Sequence, residues 1–482
     1  MDRIERRPHA VEMKLKITIA GCGPGSPDLI APAVRKAVAG AGVLVGAGRL
    51  LDLFPESRAR KIPVGADVTA VLDQMASCSG ESVVVLASGD PGLCSIARPV
   101  LDRFGRADCE IIPGISSIQT AFARLGLDWT DAAIVDAHGS DPACPPDGLA
   151  GKRKIAVLHG RPGSLRWAAD LARTCSGDKR IFLCENLTLD SERIREVAPE
   201  DLDRADISTL SIMLLIEREL LAAGPAPGEE KASPAARTGK GGRPGGTLYG
   251  IGIGPGDPGL ITVKGAALIG RCRHIFVPKA GNSSESLALA IAGRYIGKDS
   301  GIRELVFPMT EDRNELSACW SEAARSVLGI LEKGEDACFL TLGDPLLYST
   351  YIYLLRELRK LSPECAVVTV PGITSVSAAA AISGTAIGEG KGLVTIIPAD
   401  DLDKLAEALE SGGTVAVLKV GKRLPRILDL LEAHGAARRS VFVSRAGLGG
   451  QRIETDLEEL RRGGEDTGYL SVILVREKEE PR

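Results

Sequence analysis

The chain of 482 residues is poor in the side chains from which many catalytic centres are built. It contains five histidines and three tryptophans, and aromatic residues make up only 4% of it. Its eleven cysteines are scattered and form no Cys-x-x-Cys pair, which argues against a zinc ribbon or a disulfide framework. Gly-x-Ser-x-Gly and His-Glu-x-x-His are both missing, so neither a serine hydrolase nor a zinc enzyme is indicated. We therefore assign no catalytic residue from the sequence and expect no metal site.

Long apolar runs and an excess of one charge are missing as well. No run of about 18 uncharged apolar residues occurs, and the charged N-terminus, MDRIERRPHAVEMKLK, contains no apolar core of a secretory signal. The formal net charge of −4 offers no overall argument for nucleic acid. We expect a cytoplasmic protein, without a membrane or nucleic-acid partner, whose cysteines stay reduced.

The chain does contain an internal repeat. The stretch 222–246 is rich in Gly, Pro, Ala and charge, and it cannot bury enough apolar surface to order itself. It divides the chain into two segments of similar length. We predict a first module over residues 14–220, a flexible linker over 221–247 and a second module over 248–477.

Three loop motifs recur in the same order in both segments, each after an apolar run. They are Gly-x-Gly-Pro-Gly-x-Pro (21–27 and 252–258), [Ser/Leu]-Gly-Asp-Pro (88–91 and 342–345) and Pro-Gly-Ile-[Ser/Thr]-Ser (113–117 and 371–375). The final strands, LSIMLLIE and LSVILVRE, match as well. The two segments are therefore homologous modules.

Each module alternates short apolar runs such as VVVLAS and CFLTLG with longer helical stretches. This alternation predicts mostly parallel sheets with helices on both faces. Ligands of such sheets bind beyond the carboxyl ends of the strands. Because all the repeated loops follow strands, we expect them to cluster on one rim of each module.

The first loop does not match the dinucleotide-binding fingerprint. That fingerprint requires glycine where Ser26 and Asp257 stand, and Pro24 and Pro255 remove a backbone donor. A tight structural turn is the simplest interpretation of one such loop. Its recurrence with companion loops instead favours a wall that lets the backbone approach a bulky flat ligand.

The second and third loops carry polar side chains. Asp90 and Asp344 end apolar strands and can point into the cleft, where each needs donors from its own loop amides or from a ligand. In the third loop, we expect one hydroxyl of each Ser/Thr pair to cap the helix that follows, and capping is compatible with ligand contact.

Together the motifs resemble those of the tetrapyrrole (corrin/porphyrin) methylases, the class III methyltransferases, over nearly the whole chain outside the linker and the first dozen residues. The resemblance implies an α/β fold made of a tandem of two homologous tetrapyrrole-methylase modules, each of two α/β subdomains with a cleft between them. It also implies S-adenosylmethionine as the methyl donor in the cleft and a small tetrapyrrole as the acceptor. Modules of this family dimerise, so we expect a homodimer.

The two halves resemble different members of the family. LASGDPGLCSIAR, IIPGISSIQTAFARLGLDW and CENLT in the first half resemble the cobalt-precorrin-7 (precorrin-6Y) C5-methyltransferase. GDPLLYSTYIYLL and FPMTEDRNEL in the second half resemble the precorrin-2 or cobalt-factor II C20-methyltransferase. The resemblance implies a bifunctional enzyme of cobalamin biosynthesis. The C15-methylating, decarboxylating module of some relatives is missing here, which favours the route in which cobalt is inserted early.

The resemblance also implies the residues that contact the donor, many of them through the backbone. In the first module they are Pro24, Ser88, Gly89, Asp90, Leu93, Ser116, Ser117, His159 and Leu187. In the second module they are Pro255, Leu342, Gly343, Asp344, Leu347, Thr374, Ser375, Val420 and Ala446.

The chain departs from the family pattern at a few positions. An aromatic residue that the family often has in the second loop is kept at Tyr348 but replaced by Cys94 in the first module. Ala47 and Pro278 stand near the place where some members carry an acid/base aspartate. Arg49, Lys264 and Lys279 are candidates to meet the acetates and propionates of the acceptor.

Methyl transfer from a sulfonium is an in-line displacement, so the enzyme's main task is to align donor and acceptor. The acceptor carbon of a reduced tetrapyrrole is already electron-rich, and no protein nucleophile is needed. Two alternatives stay open. The same fold could act on diphthine or ribosomal RNA, or one half, the first because of Cys94, could only bind substrate or scaffold assembly.

Overall fold

A computed structural model describes residues 15–160, 164–204, 206–221, 245–279, 286–308, 310, 312–388, 392–462, 468 and 470–478 of the chain. Most of the predicted linker, 221–247, lies outside the described residues, and the predicted module boundaries stay a prediction. In the described part of the chain, no helix combines the length and apolarity needed to cross a membrane.

The first half begins with a subdomain built on a five-stranded parallel sheet. Its strands are β1 (Lys16–Gly21), β2 (Val43–Gly46), β3 (Arg60–Pro63), β4 (Ser82–Ala87) and β5 (Cys109–Ile112). Its helices are α1 (Pro32–Ala39), α2 (Gly48–Leu51), α3 (Val68–Ala76), α4 (Ala97–Phe104) and α5 (Ser117–Leu125). The strand order is β3-β2-β4-β1-β5. The inner strands β1 and β4 are buried on both faces, as their continuous apolar runs predict.

The second subdomain of the first half follows at once. Its strands are β6 (Ala133–Asp136), β7 (Lys154–His159), β8 (Lys179–Glu185), β9 (Arg193–Glu196) and β10 (Ser211–Glu217). Its helices are α6 (Ser164–Cys175) and the short α7 (Arg218–Leu221).

The second half repeats both subdomains. The first has β11 (Thr247–Gly252), α8 (Val263–Arg271), β12 (His274–Lys279), α9 (Leu287–Ala292), β13 (Gly301–Val306), α10 (Arg313–Leu331), β14 (Ala337–Thr341), α11 (Thr350–Leu361), β15 (Ala366–Val370) and α12 (Ser375–Ser383). The second has β16 (Val394–Pro398), α13 (Leu402–Glu410), β17 (Thr414–Leu418), α14 (Leu424–Ala433), β18 (Ser440–Ser444), β19 (Arg452–Glu454), α15 (Glu458–Arg461) and β20 (Ser471–Val475). The order β13-β12-β14-β11-β15 reproduces the first sheet.

The second subdomains of the two halves share one sheet of ten strands. Its order is β19-β18-β20-β17-β16-β6-β7-β10-β8-β9, so each half contributes the same five-strand pattern in mirror order. Antiparallel pairing of Val394 with Ile134 and of Thr395 with Ala133 joins the halves at β16 and β6. The two modules therefore pair with each other inside a single chain.

The prediction of mostly parallel sheets is confirmed for the two five-stranded sheets and wrong for the shared one. In the shared sheet only the pairs β6–β7 and β16–β17 are parallel. For the β8–β9 pair the physical reason is the connection: β8 ends at Glu185 and β9 begins at Arg193, which leaves no room for the crossover that parallel strands require.

Helices α5 and α12 lie at the contact between the modules. Each begins at a capping hydroxyl, and each ends at a glycine in the left-handed region, Gly126 with φ of 62° and Gly384 with φ of 69°. Helix α12 packs against β5 of the first module and α5 against β15 of the second. One hydrophobic core consequently contains Phe122 from α5 and Val376 from α12.

We expect Phe122→Ala to lower the free energy of unfolding, because it weakens the packing within the first module and the contact between the two modules. Phe122 is completely buried in this shared core, and emptying such a site typically costs about 3–5 kcal/mol. Urea unfolding should show a loss of that size. Leu361→Ala is the matched control, because Leu361 is 43% exposed and its loss should cost less than about 0.5 kcal/mol. Equal losses in the two variants would contradict the role given to α5.

Candidate functional site

The three repeated loops of each module meet at one rim, as predicted. In the first module the Gly23 amide donates to the Gly89 carbonyl at 3.2 Å, and the Gly89 amide donates back to Gly23 at 2.8 Å. In the second module the Gly343 amide donates to the Gly254 carbonyl at 2.8 Å. Backbone hydrogen bonds therefore join the first loop to the second loop. They lie beyond the ends of β1 and β4 in the first module, and beyond the ends of β11 and β14 in the second.

Close backbone contact explains the glycine of the third loop. A Cβ atom on Gly114 would lie 2.3 Å from the carbonyl oxygen of Gly89, and one on Gly372 would lie 2.1 Å from that of Gly343. Any side chain at these two positions would push the second and third loops apart. The glycines hold three backbone segments in one compact layer at the rim.

The first loop also contacts the other subdomain of its own module. The Ser26 amide donates to Oγ1 of Thr188 at 2.8 Å, and a Cβ on Gly25 would lie 2.7 Å from Leu189. In the second module a Cβ on Gly256 would lie 2.6 Å from the carbonyl oxygen of Ala446. The predicted contact residues Pro24 and Leu187, and likewise Pro255 and Ala446, thus flank the junction of two subdomains, where the resemblance implies a cleft.

The aspartates of the second loop are held by protein donors. Asp90 is only 1% exposed, and its Oδ1 and Oδ2 accept from the amides of Gly92 at 2.8 Å and Gly114 at 3.0 Å. Burial raises the pKa of this carboxyl to about 6, and the amide donors oppose that rise. The sequence left open whether loop amides or a ligand would donate to Asp90, and in the structure the loop amides do so.

Asp344 is satisfied in the same way. The amides of Leu346 and Gly372 donate to its Oδ1 and Oδ2 at 3.0 and 3.1 Å. Burial raises the pKa of Asp344 as well. Each carboxylate ties its own second loop to its own third loop.

One hydroxyl of each Ser/Thr pair caps a helix, which confirms that prediction. Oγ of Ser116 accepts from the Gln119 amide at 3.2 Å, and Oγ1 of Thr374 accepts from the Ser377 amide at 2.9 Å. Ser117 and Ser375 begin α5 and α12 and are only partly buried. Their hydroxyls carry no capping bond in the described hydrogen-bond network.

The strand register changes one pairing between the modules. His159 lies opposite Ser211 at the end of β7, and Leu418 lies opposite Val472 at the end of β17. Extending that register by one residue makes Lys419 the counterpart of His159, and the predicted contact residue Val420 follows it in the chain. Burial lowers the pKa of His159 to about 4, which leaves its imidazole neutral.

The second loops of the modules differ where the sequence departed from the family pattern. Cys94 and Tyr348 both adopt the left-handed conformation, with φ of 48° and 49°. The Tyr348 hydroxyl lies 2.7 Å from Oδ1 of Asp131, a residue of the first module. Beside Cys94 lies a cavity of about 240 Å³, lined by residues of both modules, including His138 and Gly384.

The basic candidates fall into different environments. Arg49, in the short helix α2 that follows β2, donates to Oγ of Ser88 at 2.5 Å, and no described carboxylate forms an ion pair with it. Lys279 pairs with Glu304 at 2.8 Å, and Lys264 lies in the first turn of α8. Arg49 is therefore the candidate best placed to meet an anionic group at the rim.

The sequence did not predict the residues whose side chains donate hydrogen bonds to the other module. Gln119 donates to Asp344 at 3.0 Å, and so does the indole of Trp129 at 3.0 Å. Only Gln119 carries a sequence signal, because Ser116 and Gln119 form a Ser-x-x-Gln capping box; that pattern predicts a helix start and nothing about a partner module.

Comparison with known proteins gives a family and relatives for both halves. The family model described as Tetrapyrrole (Corrin/Porphyrin) Methylases matches residues 16–203 and 247–461. The cobalt-precorrin-2 C(20)-methyltransferase of Salmonella typhimurium is 34% identical over 236 residues, which are 49% of this chain and 98% of that protein. The cobalt-precorrin-7 C(5)-methyltransferase of the same species is 34% identical over 203 residues, which are 42% of this chain and 100% of that protein.

A third relative is named as the cobalamin biosynthesis protein CobIJ of Mycobacterium bovis. It is 32% identical over 217 residues, which are 43% of this chain and 42% of that protein. The comparisons confirm the predicted family and the resemblance of one half to a C5-methylating and of the other to a C20-methylating relative.

We expect Asp90→Asn to destabilise the first module. The amide group of asparagine would place N–H donors against the N–H donors of Gly92 or Gly114, and an unsatisfied buried group costs about 1–3 kcal/mol. Thermal and urea unfolding measure the loss. Asp102→Asn is the control, because that side chain is 72% exposed; an equal effect there would contradict the prediction.

The difference in the free energy of unfolding between the native chain and Asp90→Asn should depend on pH. Because the folded-state pKa of Asp90, about 6, lies above the ordinary value, the folded state binds more protons than the unfolded state between these two values. The contribution of Asp90 to the free energy of unfolding is therefore complete below about pH 4 and is lost as the pH rises through about 6. We expect the difference in the free energy of unfolding between the native chain and Asp90→Asn to become smaller over that interval. A difference that becomes larger would contradict the raised pKa of Asp90.

Proposed function

Because the chain belongs to the tetrapyrrole (corrin/porphyrin) methylases, we propose that it performs two methyl transfers of cobalamin biosynthesis from S-adenosylmethionine. Its first module methylates C5 of (cobalt-)precorrin-7, also called precorrin-6Y, and its second methylates C20 of precorrin-2 or cobalt-factor II. The carrying observation is that each half contains its own complete set of three loops at one rim, while the halves match relatives with different regiochemistry. Since both Salmonella relatives are named for cobalt-bearing substrates, we propose cobalt-bearing acceptors.

The rim residues fit a donor held largely by backbone. S-adenosylmethionine supplies an activated methyl group when it is bound. In the first module Pro24, Gly89 and Leu187 would line its site, and in the second Pro255, Gly343 and Ala446 would do so. Glycine at the loop contacts lets the backbone approach a flat ligand, and the proline-stiffened first loop spans the two subdomains, so that donor and acceptor can be aligned and water excluded.

The remaining predicted contacts belong to the same proposal. In the first module Ser88, Leu93, Ser116, Ser117 and His159 would complete the site, with Asp90 acting through the loop it organises. In the second module Leu342, Leu347, Thr374, Ser375 and Val420 would do so, with Asp344 in the role of Asp90. Lys419 joins this set, because its position corresponds to that of His159.

Acceptor recognition is proposed to involve Arg49 in the first module. Its guanidinium lies at the rim beside Ser88, and a planar guanidinium suits bidentate binding of a carboxylate such as an acetate or propionate of the macrocycle. We propose no general base, because Ala47 and the Pro278 position carry no ionisable side chain.

A second candidate function follows from Cys94. If the first module had lost catalysis, it would bind or scaffold while the second alone methylated. The cavity beside Cys94 is the observation that favours a first module without catalysis. The complete set of three loops in the first module is the observation that opposes it. Diphthine or ribosomal RNA as acceptor receives no support from the names of the relatives described above.

Cellular location and assembly remain parts of the proposal. The eleven cysteines, all of which lie among the described residues, form no disulfide bond, which agrees with a reducing cytoplasm. The pairing of modules that the family resemblance implies is made within one chain, and the predicted homodimer is a further association. Light scattering would give 50.5 kDa for a single chain and twice that mass for the homodimer.

We expect Gly89→Val and Gly343→Val each to silence one transfer. Both glycines have positive φ, 68° and 70°, a conformation that costs other residues about 1–2 kcal/mol and a β-branched residue more. Incubation with labelled S-adenosylmethionine and one acceptor at a time, read by product mass, should show at least about a tenfold loss of C5 methylation in Gly89→Val and of C20 methylation in Gly343→Val. Loss of both transfers in either variant would contradict the assignment of one site to each module.

We expect calorimetry to find two donor sites in each chain. Titration of the native protein with S-adenosylmethionine should give a stoichiometry of two, because both modules carry the full loop set. Gly343→Val provides the control and should reduce the stoichiometry to one. A single site in the native chain that disappears in Gly343→Val would establish the second candidate function in place of the first.

A further inference from the structure

The carboxylate of the second loop in the second module is held partly from the first module. Nε2 of Gln119, on α5 of the first module, donates to Oδ2 of Asp344 at 3.0 Å and to the carbonyl of Gly372 at 2.9 Å. Gln119 lies three residues after the capping hydroxyl of Ser116.

Gln119 also belongs to the third loop of its own module. Its Oε1 accepts from the Ser116 amide at 2.9 Å while its Nε2 donates to Asp344. A continuous chain of hydrogen bonds thus runs from the third loop of the first module to the second loop of the second module.

Both side chains of this contact are withdrawn from water. Gln119 is 2% exposed and Asp344 is 4% exposed. A buried carboxylate that loses a donor bears the full cost of that loss, because water cannot replace it. The loop that carries the aspartate would then shift toward another donor, and the backbone that it presents to the cleft would shift with it.

We propose that Gln119, a residue of the first module, is a positioning residue for the methyl-transfer site of the second module. It holds the second loop of the C20 site through Asp344. This inference rests on the proposed function of the two sites. Gln119 does not touch the reacting groups, so the expected effect falls on the Michaelis constant for S-adenosylmethionine rather than on the chemical step.

One substitution separates the crossing bond from the bonds within the first module. Gln119→Glu keeps an oxygen that accepts from the Ser116 amide but replaces the donor to Asp344 by a second carboxylate oxygen. The backbone amide that Ser116 caps is unchanged. The variant therefore preserves the helix cap of the first module and replaces the neutral donor to the second module by a like charge.

The test measures both transfers in the full chain, with one acceptor supplied at a time. We expect Gln119→Glu to raise the Michaelis constant for S-adenosylmethionine about tenfold in C20 methylation, with C5 methylation changed less than about twofold. Turnover at saturating donor should stay within about twofold for both acceptors.

Arg359→Ala is the matched control for a weakened contact between modules. Arg359 donates to the Gly126 carbonyl of the other module at 3.1 Å and lies outside the loops of either site, so both transfers should stay within about twofold. The crosswise pattern supports the inference. Loss in the variant's own module, equal loss in both modules or no loss in either would overturn it. Failure of the proposed function is a different result, namely no transfer of labelled methyl by the native chain.

Discussion

A buried carboxylate must be surrounded by hydrogen-bond donors, and this requirement organises the centre of the molecule. Asp90 and Asp344 satisfy it with amides of their own loops, and Asp344 also accepts from Gln119 and Trp129 of the first module. Because its donors come from separate segments, Asp344 fixes the second and third loops of its own module relative to a helix of the first module. The position of the second loop in the second module therefore depends on the pairing of the modules.

That pairing has two layers with different physical origins. In the shared ten-stranded sheet, backbone hydrogen bonds between β6 and β16 join the second subdomains. Beneath it, α5 and α12 exchange contacts with β15 and β5 and bury apolar side chains from both halves in one core. Hydrophobic burial supplies most of the attraction, whereas the carboxylate contacts fix the geometry. A tandem chain provides both partners at a high effective concentration.

The approximate symmetry of the two modules makes their differences informative. Tyr348 reaches Asp131 and the carbonyl of Ile396, while the equivalent Cys94 adjoins a cavity. Lys419 stands where the first module has the neutral His159. At Cys94 and Tyr348 the backbone itself is nearly the same, with φ of 48° and 49°. Two acceptors of different shape and charge can thus be served by one loop scaffold with changed side chains.

Much of this architecture could be predicted from local patterns. Capping at Ser116 and Thr374, the clustering of the loops and the parallel five-stranded sheets all follow from short-range rules, because a cap, a turn and a buried strand each involve neighbouring residues. The mixed sheet required the pairing of distant strands, which local patterns leave undetermined.

The sequence by itself determined the duplication, the family and the residues of the three loops, since these are properties of residue order. Only the tertiary structure decided that Asp90 and Asp344 are turned inward to protein donors, and that Gln119 and Trp129 of the first module donate to Asp344 of the second. The reason is that a carboxylate's partners are chosen by proximity in space, and the residues concerned lie 225 positions apart in the case of Gln119 and Asp344.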